Sequence, residues 1–117
     1  MLTKTKYFFI IATTFMFAGC ASVTESGYYW GSYSETYYEY IKAPSEQSVT
    51  EHLNELNDIV NVSEKKGLKV PPGIYAEIGY ITAKRGDKDS SINYYRQEAE
   101  LYPESKGFIE RLITDQK

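Results

Sequence analysis

Few residues in this chain could do chemistry. His52 is the only imidazole and Cys20 the only thiol among 117 residues, which excludes a Cys-cluster zinc site and a disulfide framework within the chain. A metal site or a Ser-His-Asp array built on His52 needs partners at spacings the sequence does not display. Beside Leu53 and Leu56 the imidazole reads as a solvated or half-buried structural side chain. Carboxylates pair at Glu51 and Glu55, Asp87 and Asp89, and Glu98 and Glu100. Each pair falls on the polar face or at the start of an expected helix, where solvation and the helix dipole account for it. A glycosidase dyad needs a sugar cleft, and a domain this small has little room for one. Gly79 and Gly86 are separated by a helical stretch and form no phosphate-cradling loop. The expectation is a protein that is not an enzyme, with no cofactor and no metal.

Tyrosine is the unusual residue, with twelve in the chain. Tyr28, Tyr29, Tyr38 and Tyr80 fall off the expected core stripes and suit sugar stacking or peptide anchoring. Trp30, Tyr33, Tyr37, Tyr75 and Tyr95 read as packing. With 13 Lys and Arg against 16 Asp and Glu, the net charge of −3 argues against nucleic-acid binding, which needs a clustered basic surface.

The N-terminus carries an address. Lys4 and Lys6 precede the apolar run from Tyr7 to Phe17, a secretory-signal pattern too short to span a bilayer comfortably. Phe17-Ala18-Gly19-Cys20 resembles the bacterial lipobox, with Phe where Leu is usual. That resemblance implies a signal peptide over residues 1–19, a mature chain beginning at Cys20, and three acyl chains on that residue, palmitate among them. Two chains already suffice for stable anchoring. Ala21 stands where Asp would retain the protein in the inner membrane, so the resemblance implies the outer membrane and its periplasmic face. The mature chain keeps 11 basic and 16 acidic side chains, so the lipid alone must anchor it. Residues 20–27 form the lipidated Cys and a small, polar tether, reaching at most about 25 Å when extended.

From Tyr28 onward, over residues 28–117, apolar residues recur at three and four, and no alternating strand pattern occurs. The expected fold is all-α, with about five helices. The first runs from Trp30 to Lys42, with Trp30, Tyr33, Tyr37, Tyr40 and Ile41 as its inner stripe, and Pro44 ends it. The second opens at Ser45 or Ser48, with Ser48 to Glu51 matching a capping box, buries Val49, Leu53, Leu56, Val60 and Ser63, and ends at Gly67. A third, about Pro72 to Arg85, turns Tyr75, Ile78, Ile81 and Thr82 inward. Asp87 or Asp89 caps a fourth built on Ile92, Tyr95, Ala99 and Tyr102. Ser105 caps a fifth that buries Phe108, Ile109, Leu112 and Ile113.

From Pro72 to Ser105 the pattern resembles a tetratricopeptide repeat, a 34-residue pair of helices. Tyr75, Ile78 and Gly79 match the first helix, Gly86-Asp87 the turn, Ser91 and Tyr95 the second helix, and Pro103 its end. Thr82 and Glu98 depart from the pattern. Gly79 and Ser91 lack bulk, which lets two helices approach closely. A worn copy runs from Trp30 to Ser63. Two copies and a capping helix leave an open edge for a partner or a second copy of the chain, because about three repeats are normally needed to bury such a core. The repeat resemblance implies a ligand groove at Ala76, Tyr80, Ala83 and Lys84, with Tyr38 and Glu39 added by the worn copy.

The lipobox, the Tyr-rich start, Val70-Pro71-Pro72-Gly73-Ile74-Tyr75-Ala76 and Tyr102-Pro103-Glu104-Ser105 together resemble a family of small bacterial lipoproteins of unknown function. Genes of that family lie near one for a lipoprotein similar to the curli-secretion pore subunit CsgG. The resemblance implies an envelope assembly and supplies no catalytic motif. The function expected is a protein-interaction scaffold held at the outer membrane. The alternative is a peptidoglycan or other glycan binder that uses the exposed tyrosines.

Overall fold

The computed structural model describes residues 27–116, in which helices α1 (Tyr33–Lys42), α2 (Glu46–Lys65), α3 (Ile74–Lys84), α4 (Lys88–Leu101) and α5 (Lys106–Thr114) follow one another. A 3-10 turn, Pro103–Ser105, leads into α5. The fold is all-α: α1 pairs with α2, α3 packs most intimately on α4, and α2 joins the two hairpins through α3. The signal-like segment and Cys20 lie outside the described residues.

Helix α1 begins three residues later than the stripe suggests. Gly31 adopts a left-handed backbone, φ 49°, which an α-helix cannot include. The Ser32 N–H is held by Glu55 Oε1 at 2.7 Å. No residue of α1 is fully buried; Tyr33, Thr36 and Tyr40 lean inward, whereas Trp30, Tyr37 and Ile41 stay exposed.

Helix α2 starts one turn before the expected capping box. Ser45 Oγ accepts from the Ser48 N–H at 3.0 Å, and Ser48 Oγ accepts from the Ser45 N–H at 2.9 Å. Ser48 thus closes the box from inside the helix, and Glu51 takes no part. The buried face is Ser48, His52, Leu56, Ile59 and Ser63, with Val49, Leu53 and Val60 on its flanks. Leu56 and Ser63 lie inside as expected, while Ser48, His52 and Ile59 take the central positions expected for Val49, Leu53 and Val60.

Two helix ends share one device. After α2, Leu68 N–H donates to Ser63 O at 2.8 Å and Gly67 N–H to Glu64 O at 3.1 Å; after α3, Asp87 N–H donates to Thr82 O and Gly86 N–H to Ala83 O. Both are Schellman closures, and their left-handed residues, Gly67 at φ 65° and Gly86 at φ 90°, carry no side chain to clash. Asp87 Oδ1 then accepts from the Ser90 N–H at 3.1 Å and caps α4.

The α3–α4 approach is the tightest in the molecule. A Cβ on Gly79 would stand 2.7 Å from Cδ1 of Tyr95 and 3.2 Å from the Ser91 carbonyl oxygen. Ser91 Oγ donates across the interface to the Gly79 carbonyl at 2.7 Å. Leu56, Ile59, Val70, Ile74, Tyr75, Ile78 and Ile81 form the adjoining apolar core.

Glu98 does not lie on a polar face. It is 4% exposed, and its Oε1 accepts from the Gly73 N–H at 2.7 Å. Gly73 precedes α3 and has no side chain to cap it, so a carboxylate from α4 faces the positive end of that dipole. Burial pushes the Glu98 carboxyl above its ordinary value, while the Gly73, Ala76 and Tyr75 N–H groups pull the other way. Tyr102 secures the same linker by donating its hydroxyl to the Val70 carbonyl at 2.6 Å. In α5, Ile109 is buried and Leu112 and Ile113 are half-buried. Phe108, expected in the core, is 53% exposed because the single face turned to α4 passes through Ile109.

Gly79→Ala will cost about 1–3 kcal/mol in urea unfolding, since the Tyr95 ring and the Ser91 carbonyl must both shift to admit the methyl group. The raised Glu98 carboxyl makes folding take up a proton between its unfolded and folded pKa values, so this group's contribution to stability falls as pH rises through that window. Glu98→Gln keeps an acceptor over Gly73 and removes the titration. Relative to that variant, the wild type will gain stability as pH drops from neutral into the ordinary carboxylate range, as measured by unfolding at each pH.

Candidate functional site

Two regions carry the polar and aromatic groups that could act. The first surrounds His52, which is completely buried rather than solvated. Its Nε2 lies 2.9 Å from Glu77 Oε1 and its Nδ1 lies 2.8 Å from Thr36 Oγ1. The other Glu77 oxygen accepts from the Tyr33 hydroxyl at 2.8 Å. Helix α2 supplies the imidazole, α3 the carboxylate, and α1 both hydroxyls, so one network ties three helices together. Tyr33, Tyr37 and Tyr40 surround the ring, and Tyr40 stacks on it at 5.4 Å and 11°. Burial raises the Tyr33 hydroxyl's pKa, and its bond to Glu77 raises it further.

Hydroxyl, imidazole and carboxylate stand in a row, as in nucleophilic catalysis. Here the Thr36 hydroxyl also lies 3.4 and 3.3 Å from the Ser32 and Tyr33 carbonyl oxygens, and the imidazole has no surface open to solvent. The arrangement holds helices in register. The sequence conceals it, because Thr36, His52 and Glu77 share no local spacing and only the packing of three helices brings them together.

The second region is an open groove of about 460 Å³ lined by Tyr80, Ala83, Lys84, Lys88, Tyr95, Leu112, Asp115 and Gln116. Helix α3 presents Tyr80, 45% exposed, with the Lys84 ammonium 5.4 Å from its ring centroid. Lys88 comes from the start of α4, and its Nζ reaches the Gln116 carbonyl. Gln116 Nε2 donates to Ser91 Oγ at 3.1 Å, which fixes the far rim. An aromatic face, an aliphatic floor and two ammonium groups suit a peptide side chain beside a carboxylate.

The structure brings Tyr80, Ala83 and Lys84 together in this groove. Ala76, one turn earlier, is half-buried and outside it. Tyr38 lines a different groove, on α1, and Glu39 is exposed on α1 and borders neither. Tyr28 and Tyr29 are half-buried, and Tyr29 packs against the core. The repeat pattern does not point to Lys88, Leu112 and Gln116 as lining residues; the signal for them is the helical succession itself, which sets α5 beside α4. Among the described residues no group of His, Cys, Asp and Glu is arranged to hold a metal, and no helix is long and apolar enough to cross a membrane.

A family model described as "Domain of unknown function (DUF4810)" matches residues 28–112, from the Tyr-rich start to α5. The chain belongs to this family. The DUF4810 region therefore includes the His52 network and most of the Tyr80 groove, though not Asp115 or Gln116. No curated protein and no solved structure matches the chain.

His52→Ala leaves both Glu77 and Thr36 without their partner and opens a cavity among three tyrosines. It will cost about 2–4 kcal/mol. Tyr33→Phe removes one hydroxyl from the same network and will cost about 1 kcal/mol, with both read from thermal unfolding followed by circular dichroism.

Proposed function

We propose that this DUF4810 protein is a non-catalytic docking scaffold, lipidated at Cys20 and held at the periplasmic face of the bacterial outer membrane. The observation that carries the docking role is the Tyr80 groove: it is open, aromatic, flanked by Lys84 and Lys88, and formed by three helices whose cores are already satisfied beneath it. The anchoring role rests on the order of charge, apolar run, small pair and Cys at the N-terminus. The tetratricopeptide-like pattern of Tyr75, Ile78, Gly79, Ser91 and Tyr95 adds support, because such hairpins present the first helix of each pair to ligands. The partner is an envelope protein, with a CsgG-like lipoprotein as the first candidate, presenting an aromatic or apolar side chain near a carboxylate.

A photocrosslinker placed at Tyr80 in the cell will capture one envelope protein, and the same crosslinker at Asn93, exposed on α4, will not. Tyr80→Ala and Lys84→Glu will each abolish co-purification of that protein without loss of helicity. Adducts that are absent or diffuse at Tyr80, with retention of the purified protein on protein-free peptidoglycan, would transfer the function to glycan binding.

A further inference from the structure

The exposed apolar side chains of the N-terminal hairpin collect on one side of α1. Tyr33, Ser34, Tyr37, Tyr38, Ile41 and Lys42 line a shallow groove of about 440 Å³, and Tyr38 and Ile41 are 58% and 56% exposed. Trp30 extends this stripe by one turn, meeting Tyr33 edge-on at 5.4 Å, and Tyr33 stacks on Tyr37 at 5.4 Å. Tyr33 and Tyr37 also lie against the His52 ring, whereas Tyr38 and Ile41 are turned to solvent. At 100° per residue, Glu39 projects well away from the Tyr38–Ile41 side, and Glu35 stands at its edge, about 60° from Tyr38. The only charge bordering the groove is the Lys42 ammonium, 5.2 Å from the Tyr38 ring centroid. Trp and Tyr with a lysine beside them are the side chains that settle at the headgroup level of a bilayer, and a protein of acidic balance gains by keeping carboxylates off such a face.

With the anchor at Cys20, chain length keeps the start of α1 close to the membrane. The stretch from Cys20 to Gly27 reaches about 25 Å fully extended, and α1 begins only six residues beyond it. We propose that the Trp30–Tyr38–Ile41 face of α1 lies in the headgroup region of the membrane that carries the lipid anchor, an inference resting on the anchored reading above. The contact fixes the domain's orientation. It turns α1 toward lipid and leaves α3, α4 and α5, with the Tyr80 groove, for a protein partner.

Trp30 is the only tryptophan in the chain and is a native reporter. The full-length lipidated protein is reconstituted into phosphatidylethanolamine–phosphatidylglycerol vesicles, with and without bromine on the acyl chains near the headgroups. The expected result is loss of most Trp30 emission in the brominated vesicles. Tyr38→Glu combined with Ile41→Glu restores the emission, while the variant still floats with the vesicles and keeps its helical circular dichroism. Protein that floats but shows unquenched Trp30 overturns the inference and leaves the anchor intact. Quenching that survives the double substitution overturns α1 as the lipid contact. Cys20→Ser is expected to be lost from the vesicles; if it stays bound and quenched, the α1 face is upheld and the anchored reading fails.

Discussion

The absence of a side chain at Gly79 is the constraint on which the rest of the molecule depends. It lets the Tyr95 ring lie against the α3 backbone, and the Ser91 hydroxyl bridges the two helices at the same level. With α3 and α4 held this closely, Ile74, Ile78 and Ile81 are committed to the α2 side, where Leu56 and Ile59 meet them. Tyr80, next along α3, is thereby turned to the opposite edge and into its groove. A thin helical domain has few ways to bury area, so one close contact fixes which face of α3 is core and which is surface.

Two glutamates, Glu77 half-buried and Glu98 buried, complete what apolar packing begins. Glu77 joins the α1 hydroxyl of Tyr33 to the α2 imidazole, and Glu98 covers the start of α3 from α4. Burying a carboxylate is costly unless it is bonded; both oxygens of Glu77 have partners and Oε1 of Glu98 has one. Each bond has one geometry, unlike a contact between aliphatic side chains, and both fix the placement of α3. The Tyr102 hydroxyl on the Val70 carbonyl does the same for the linker preceding it.

The sequence pattern revealed the helices better than their inner faces. Period, turn glycines and prolines located all five helices, and the small residues at Gly79 and Ser91 pointed to the close approach. On α2 the stripe places Leu56 and Ser63 correctly but passes over Ser48 and His52, because a hydrophobic stripe gives most polar residues no weight. The same pattern places Glu98 at solvent, whereas its partner is a backbone N–H 25 positions away. Phe108 erred in the other direction, since hydrophobicity alone does not say which residues of a short helix face its neighbour. For the candidate site, Tyr80, Ala83 and Lys84 were legible from α3 alone, whereas Lys88, Leu112 and Gln116 required knowing where α4 and α5 return.

Helix α1 has a distinct energetic standing. None of its residues is fully buried, and its hold on the rest is mainly polar and aromatic. Opening free energies vary across a fold, and segments with the least buried apolar surface open first. The expected pattern in native-state hydrogen exchange is that α1 opens at lower free energy than α3 and α4. Its departure would carry away Tyr33 and Thr36 and admit water to the His52 imidazole, which the closed fold seals off completely.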